Sequence, residues 1–569
     1  MWYDTRKEKY ELFDKEKINM QFQFDFQNFG KSGFKPNMKK PGRGATVVMA
    51  VVALALVALY YYVSLPALNY QETGFWMVLI VILAILTLVF AAKSYRDGGK
   101  SRFLMKGSAI LLVIAIGAFL IGMILSSKVV SSSKYAGRLK VENKTFEKDM
   151  KETERITDIA LMDTEGARII GDRAIGSLSD VVSQYEVSDA YSQIDYDGTP
   201  MKVAPLNYAS FIRYMTNKKS GIPGYVQVDP ITNEAKYIKL KEPMQYSPSA
   251  YFSRNLKRHL RFQYPTAIFE GYYFEIDNEG NPYFICPVLK SYAGFFGAKD
   301  VKGAVICDPV TGKSTYYKAG DIPQWVDHVY DGRLLLKKYN WKGELSGGYI
   351  NSIFGKKGCK VATDNFGYRI IDGDVWAYTG VTSVNGDNSN IAFVLMNMRT
   401  AESKYYTVSG ANEQSAMSAA EGQVQHLGYS SAFPSLINVN GKPTYVMILK
   451  DKGGLVKMYA MVNVEKYNIV ATSTTQKGVL KEYNRLLKEE GLITAGDADI
   501  ESEQTKEIQI ADIKFLPIEG NTYIYITDKD GQVYKQEFSK NETAVTYKAG
   551  MKVKIKYEQS DDGIHMIVD

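Results

Sequence analysis

The stretch ATVVMAVVALALVALYYYVSL (residues 45–65) is followed by FWMVLIVILAILTLVFAA (75–92) and SAILLVIAIGAFLIGMILS (108–126), and none of the three contains Asp, Glu, Lys or Arg. A helix that crosses a bilayer needs about 20 mostly apolar residues, and these runs offer 21, 18 and 19. Charge is partitioned around them. Residues 1–44 carry ten Lys/Arg against six Asp/Glu, and the loop 93–107 carries Lys93, Arg96, Lys100, Arg102 and Lys106 against Asp97 alone. The loop between the first two runs has only Glu72. Cytoplasmic loops collect positive charge, so the expectation is a multi-pass plasma-membrane protein. Its N-terminus is cytoplasmic and the region after residue 126 is extracytoplasmic. Tyr60, Tyr61, Tyr62, Phe75 and Trp76 flank the short outer loop, as interfacial aromatics do.

The chain has 569 residues and a formal charge of +7. A basic balance ordinarily suggests nucleic acid. Here the excess belongs to the inner loops, where anionic headgroups attract it, and the region after 126 carries 54 charges of each sign. The partner expected from charge is therefore the lipid bilayer, with no nucleic acid. Cys286, Cys307 and Cys359 are too few and too odd in number for a disulfide scaffold. One bridge would be allowed in an oxidising compartment, and the sequence does not choose its pair.

The texture along the chain suggests six segments. Residues 1–44 read as a cytoplasmic tail with a short helix at 5–18, 45–126 as a three-helix anchor, and 127–156 as a stalk or helical connector leading away from the bilayer. Residues 157–330 read as an α+β domain, 331–492 as a second β-rich domain ending in a helix, and 506–569 as a small barrel of five strands, OB-like or SH3-like. An acidic linker runs from Ala495 to Thr505. Within the exterior a hairpin recurs. Gly224-Tyr225-Val226-Gln227-Val228-Asp229-Pro230 runs on to Tyr237, Gly303-Ala304-Val305-Ile306-Cys307-Asp308-Pro309 to Tyr316, and Ala392-Phe393-Val394-Leu395-Met396-Asn397 to Tyr405. A fainter copy surrounds Met461-Val462-Asn463. In each, an Asp or Asn opens the turn and accepts backbone N–H bonds. Spacings of 79 and 89 residues are too long and uneven for a propeller blade. Candidate helices are 165–184, 206–218, 247–263 (opened by Ser247-Pro248) and 477–490. Asp277 to Gly280, Asp372-Gly373, Lys452 to Gly454, Asp530-Gly531 and Asp562-Gly563 signal further hairpins.

This hairpin pattern resembles PepSY-type domains, exported bacterial modules in which a helix packs on a small antiparallel sheet. The resemblance covers about a fifth of the exterior chain. It implies a regulatory or inhibitory relation to envelope peptidases. The whole chain resembles large bacterial membrane-anchored envelope proteins, from which no activity carries over. The fold class expected is thus a membrane-anchored α+β protein. Three N-terminal transmembrane helices precede a large antiparallel β-rich exterior with PepSY-like hairpin repeats and a small C-terminal barrel.

Catalytic spacing is sparse. Thr311-Gly312-Lys313-Ser314 mimics the end of a phosphate loop, but Cys307 stands where the first Gly is needed and a strand follows where a helix should. His259, His328, His426 and His565 show no ligand spacing, so no metal or cofactor is expected. Asp528-Lys529-Asp530-Gly531 lacks the flanking helices of a calcium loop. Cys359 lies in Gly355-Lys356-Lys357-Gly358-Cys359-Lys360, an electropositive setting for a reactive thiol, with His328 or His426 as a conceivable base. Cys307 aligns with Val228 and Met396, which suits a small packed hydrophobe. Residues 249–262 carry Arg254, Lys257, Arg258 and Arg261, an anion- or partner-binding face. Tyr251, Phe252, Leu256, Leu260 and Phe262 form a stripe read as core, and internal pairing of the basic face is favoured over an external anion.

No Asp, Glu, Lys, Arg or His lies in the three runs, which argues against a transporter. Gly117 and Gly122 permit close helix packing or a homo-oligomer. The leading expectation is a non-enzymatic envelope protein whose exterior binds or regulates an envelope protein or a wall polymer. The competing one is an envelope hydrolase or thiol enzyme acting on peptides or glycans.

Overall fold

The computed structural model describes residues 43–153, 159–176, 178–384, 389–494, 504–518, 521–558 and 563–568. The expected tail, its helix at 5–18 and most of the acidic linker lie outside the described residues. The chain forms two units, residues 1–56 with 82–111 and residues 57–81 with 112–569. The first, as described, consists of parts of three helices and the turn in which Asp97 accepts hydrogen bonds from Ser101.

The apolar runs become α1 (Arg43–Ser64), α2 (Thr73–Arg96) and α3 (Arg102–Leu125). Helices α2 and α3, of 24 residues each, are long and apolar enough to cross a membrane, and α1 contributes the apolar stretch Leu54–Ser64. Large side chains such as Leu88, Ile110 and Val113 stand exposed along them, whereas a core helix of a soluble protein would bury them.

The second unit is built by repetition. In each of four antiparallel sheets a first strand, broken in two, lies on one edge of a long strand, and the repeated hairpin continues from the other edge. In the first sheet Tyr185–Val187 and Ser192–Tyr196 both pair with Thr199–Tyr208, which leads to Ile222–Asp229 and Glu234–Met244. The second has Ile268–Phe269 and Tyr273–Ile276 on Pro282–Lys290, then Asp300–Cys307 and Ser314–Lys318. The third has Lys360–Ala362 and Gly367–Ile371 on Asp374–Ser383, then Ala392–Asn397 and Ser403–Tyr406. The fourth has Ser430–Ser431 and Ser435–Val439 on Lys442–Lys450, then Val456–Asn463 and Val470–Ser473. Every hairpin expected from sequence whose turn is described is present, inside a larger unit that sequence did not reveal; Asp562 lies outside the described residues.

The turns explain the recurrence. Asp229 Oδ1 accepts the N–H groups of Ile231 and Thr232, Asp308 Oδ1 those of Val310 and Thr311, and Asn397 Oδ1 those of Arg399 and Thr400. The fourth residue on is left-handed in all three: Asn233, Gly312 and Ala401. Thr311 to Ser314 is thus a hairpin turn entering a strand, and the phosphate-loop likeness ends there.

A helix leads into each sheet: α5 (Thr164–Gly176), α7 (Leu256–Gln263), α8 (Gly332–Leu345) and α9 (Glu413–Gln423), while α10 (Gln476–Glu489) follows the last. A further helix, α6 (Phe211–Asn217), lies within the first sheet's connections. Alternate residues of the middle sheets face different cores. Phe284, Cys286, Val305 and Cys307 pack with Val226 and Val228 of the first sheet and with Leu256 and Leu260 of α7. Their neighbours Ile285, Ala304 and Ile306 pack with Leu335 of α8 and with Ala392, Val394 and Met396 of the third sheet. Phe393 and Leu395 turn instead to Ala416 of α9 and to Tyr445 and Met447 of the fourth, whose Val446 and Ile448 meet Tyr483 of α10. Strands buried on both faces read as continuous apolar runs. Contact is not limited to successive sheets: Lys450 of the fourth sheet pairs with Asp163, just ahead of α5, at 2.5 Å.

Several expectations change. Of the stalk or helical connector expected at 127–156, residues 127–153 are described, and they pack on the body. Helix α4 (Lys128–Ala136) sends Tyr135 onto Trp341, and the strand Glu142–Lys144 adds in parallel to Ser403–Tyr406. The expected boundary near 330 divides no core, because one cluster joins residues on both sides of it. The helix expected at 206–218 is a strand to Tyr208 and only then α6. The helix expected at 247–263 begins at Leu256 under an Asn255 cap, and Ser247 Oγ instead accepts from Ala250 in the preceding turn. Helices α8 and α9 were not anticipated. Gly122 receives no partner helix: a Cβ there would meet the Phe295 ring, which stacks on Trp76 at 5.7 Å while Phe296 meets Phe119.

The last described strands, Gln504–Ile518, Asn521–Asp528, Val533–Glu537, Lys552–Glu558 and Ile564–Val568, close on themselves in the order first, second, third, fifth, fourth. The third and fifth run parallel. Asp528 Oδ1 accepts two backbone N–H groups of its own turn, and Oδ2 accepts from Lys506 at 3.0 Å. An ammonium group fills the place a calcium ion would need.

Candidate functional site

The basic face is mostly spent internally, and on carbonyls rather than carboxylates. Arg261, 5% exposed, donates to the carbonyls of Leu65 (2.9 Å) and Ala267 (2.6 Å). Burial lowers its pKa. It fastens the loop between α1 and α2 to the body, as do the bonds from Leu68 N to Pro265 O and between Gln71 and Ser291. Arg254 donates to Lys218 O, and Arg258 donates to Phe252 O while lying 4.2 Å over the Tyr62 ring. Lys257 is exposed, with no ion pair among the described residues. The apolar stripe splits: Leu256 and Leu260 are core, but Tyr251, Phe252 and Phe262 are exposed.

Cys359 is buried, and its thiol donates to Glu344 O at 3.4 Å. All three cysteines are free thiols. Burial pushes the Cys307 thiol up to about 12 and raises Cys286 as well, so both are inert as nucleophiles. The histidines do not converge. His259 bonds Gly312 O, His328 bonds Glu275, His426 is exposed in a short turn, and His565 packs on Tyr534 and Tyr557. No group of three or more His, Cys, Asp or Glu is placed to hold a metal ion among the described residues.

A cleft of about 450 Å³ opens instead where the broken edge of the first sheet, the start of the second and the N-terminus of α8 meet. Tyr191, Tyr272 and Tyr273 line it with Glu270, Asp331, Arg333 and Lys337. Asp331 caps α8, its Oδ1 accepting from Arg333 N and Leu334 N, while Oδ2 accepts the Tyr273 hydroxyl at 2.5 Å. Desolvation in the cleft, and then the charge of Asp331, raise the pKa of Glu270. Tyr191 keeps a buried hydroxyl with no hydrogen-bond partner.

Behind the cleft lies a carboxylate core. Strand alternation puts Tyr273 and Glu275 on one face. Glu275, fully buried, accepts the backbone N–H groups of Asp327 and His328 and bonds His328 Nδ1 at 2.9 Å. The His328 ring stacks under Tyr273 at 4.9 Å. Asp327 Oδ2 accepts Asp195 N at 2.8 Å, but Asp327 Oδ1 and Asp195 Oδ1 are buried without hydrogen-bond partners among the described residues. Burial, followed by the Glu275 charge, raises Asp327 well above the usual carboxylate range. The cleft and this core draw on residues 191 to 337, and no local motif marks them. The one signal was a glutamate at an inward position of Tyr273-Phe274-Glu275-Ile276.

No protein-family model matches the chain, and no curated protein matches it. Among solved structures, a B. megaterium levansucrase mutant is similar over 67% of this chain and 82% of that one, at 8% identity and a TM-score of 0.15. That degree of likeness assigns neither fold nor activity.

Proposed function

We propose that the chain is a membrane-anchored envelope protein whose extracytoplasmic body binds or regulates a partner, either an envelope protein or a wall polymer. In this reading α1, α2 and α3 are three spanning helices and the N-terminus is cytoplasmic. The exposed apolar faces of the helices and the charge partition support it. The observation that carries the partner-binding reading is the cleft, which gathers aromatic rings and charges of both signs as interfaces do, while the three thiols, His328 and His565 are buried. The recurring helix-then-sheet unit supports a PepSY-like identity for the repeats. The five-strand ring with its parallel third and fifth strands supports an OB-like terminal module.

The test is a photo-crosslinking amino acid placed at Tyr272 in living cells. One discrete adduct, lost when Lys337 and Arg333 are replaced by Ala, is the expected result. No adduct above that of an exposed position on the terminal barrel, such as Val545, overturns the reading.

A hydrolase is the second reading, and Glu270 with Asp331 favours it. A carboxyl with a raised pKa facing a second carboxylate in an aromatic cleft has the parts of a general acid and its partner. Glu270→Gln would then abolish turnover of wall glycan or peptide while leaving partner adducts intact. The thiol version has less support, since Cys359 is buried.

A further inference from the structure

We infer that the groove between the last turn of α1 and the outer face of α7 binds a phospholipid of the outer leaflet, and so seats the body on the membrane. The inference rests on the membrane reading above. The groove holds about 260 Å³ and is lined by Tyr62, Ser253, Arg258, His259, Phe262 and Gln263. Its depth follows from the helix: a spanning helix ends among the headgroups, and Tyr62 lies in the final turn of α1. The Arg258 guanidinium, 4.2 Å over the Tyr62 ring, therefore sits at phosphate level. One of its nitrogens donates to Phe252 O, and its Nε–H is buried with no acceptor. A phosphodiester oxygen entering the groove meets the guanidinium that lines it, and Arg is suited to phosphate.

The apolar walls match the rest of the lipid. The Phe262 ring lies 6.4 Å from that of Tyr61 and is 58% exposed, beside the exposed Leu59 and Val63 of α1. The patch continues through Phe252 to Phe211, whose ring meets Tyr251 at 4.9 Å, and to Ile212, 71% exposed. A soluble surface rarely leaves such a patch bare. Aromatics belong at the membrane–water boundary, and the exposed Lys257, Arg213 and Lys219 around them complement anionic headgroups.

The experiment uses the full chain in vesicles of phosphatidylcholine with phosphatidylglycerol. Phe262→Cys carries an environment-sensitive NBD label, and lipids carry a doxyl quencher high on the acyl chain; the native thiols are buried. Quenching at position 262 several-fold above that at a label on Val545→Cys is expected. In detergent, fluorescent phosphatidylglycerol should bind Arg258→Gln about tenfold more weakly, with partial recovery in Arg258→Lys. Equal quenching at 262 and 545, or unchanged lipid binding in Arg258→Gln, overturns the inference. Alkaline carbonate extraction of the same vesicles separates the two claims. A chain that stays in the pellet while position 262 is unquenched loses this site and keeps its anchor, and a chain that is extracted loses both.

Discussion

Asp327 shows what one buried carboxylate does to the body. Its folded pKa lies above the unfolded value of about 3.9 because burial, and then Glu275, disfavour the charge. A raised acid contributes stability that is fully present below its unfolded pKa and is lost as pH rises through its folded one. Asp327→Asn should therefore be more stable than the parent near neutral pH, by about 1 kcal/mol or more. It should show no advantage near about pH 4, where the parent carboxyl is itself protonated. Thermal midpoints across that pH range, in detergent, would show the parent's decline flattened in the variant. Ala401 makes a second case. Its φ of +62° costs a residue with a Cβ about 1–2 kcal/mol, so Ala401→Gly should stabilise by about 0.5–1 kcal/mol after the entropy cost of Gly. Alignment of the repeated hairpins made Cys307 legible as core. The Glu275–His328 pair was not legible, because 53 residues separate them and pairing at that range depends on how two sheets meet.

At the scale of elements, the hairpins were readable because their signal is local. An Asx residue, a turn and a left-handed fourth position all fall within five residues. The prediction tied to them is Asp308→Ala, which orphans two N–H groups and the Thr311 hydroxyl. It should cost about 1–2 kcal/mol and lower hydrogen-exchange protection first in Ser314–Lys318. The helices were harder to read. Helix α8 is buried on several sides, with Leu334, Leu335, Leu336, Lys338 and Trp341 all covered, so its pattern lacks a clean amphipathic period. Lys338 is held by Asp300 at 2.7 Å, a contact that sequence alone does not show. Helix α7 misled in the other direction: helical spacing marked Phe262 as core, yet it faces outward beside α1. Spacing identifies a face without naming what covers it.

For the whole molecule, the question is how the body and the adjoining ends of the apolar helices come to share one unit. The sequence placed the apolar runs and their loops, but its polar composition at 127–156 reads as a stalk or helical connector. What replaces the stalk is an aromatic joint from the loop between two strands of the second sheet. Phe295 lies flat on Trp76, Phe296 meets Phe119, and Ser126 Oγ accepts Phe296 N. Lys299 adds an ion pair with Glu72 at 3.0 Å, half-exposed and so worth little by itself. The rings carry the joint. Truncating a fully buried Phe costs about 3–5 kcal/mol, and Phe295 is partly exposed, so Phe295→Ala should cost about 2 kcal/mol. That loss should appear in the joint and spare the sheet stack, whose cores hold none of these rings. Hydrogen exchange should rise in 66–72 and 293–298 and stay unchanged in Ala392–Asn397. Gly122→Leu should reproduce the effect from the opposite side, because its side chain occupies the place of the Phe295 ring. If both variants instead loosened the third sheet to the same degree, the joint and the stack would be one cooperative body, and the repeats would not fold independently of the helices that carry them.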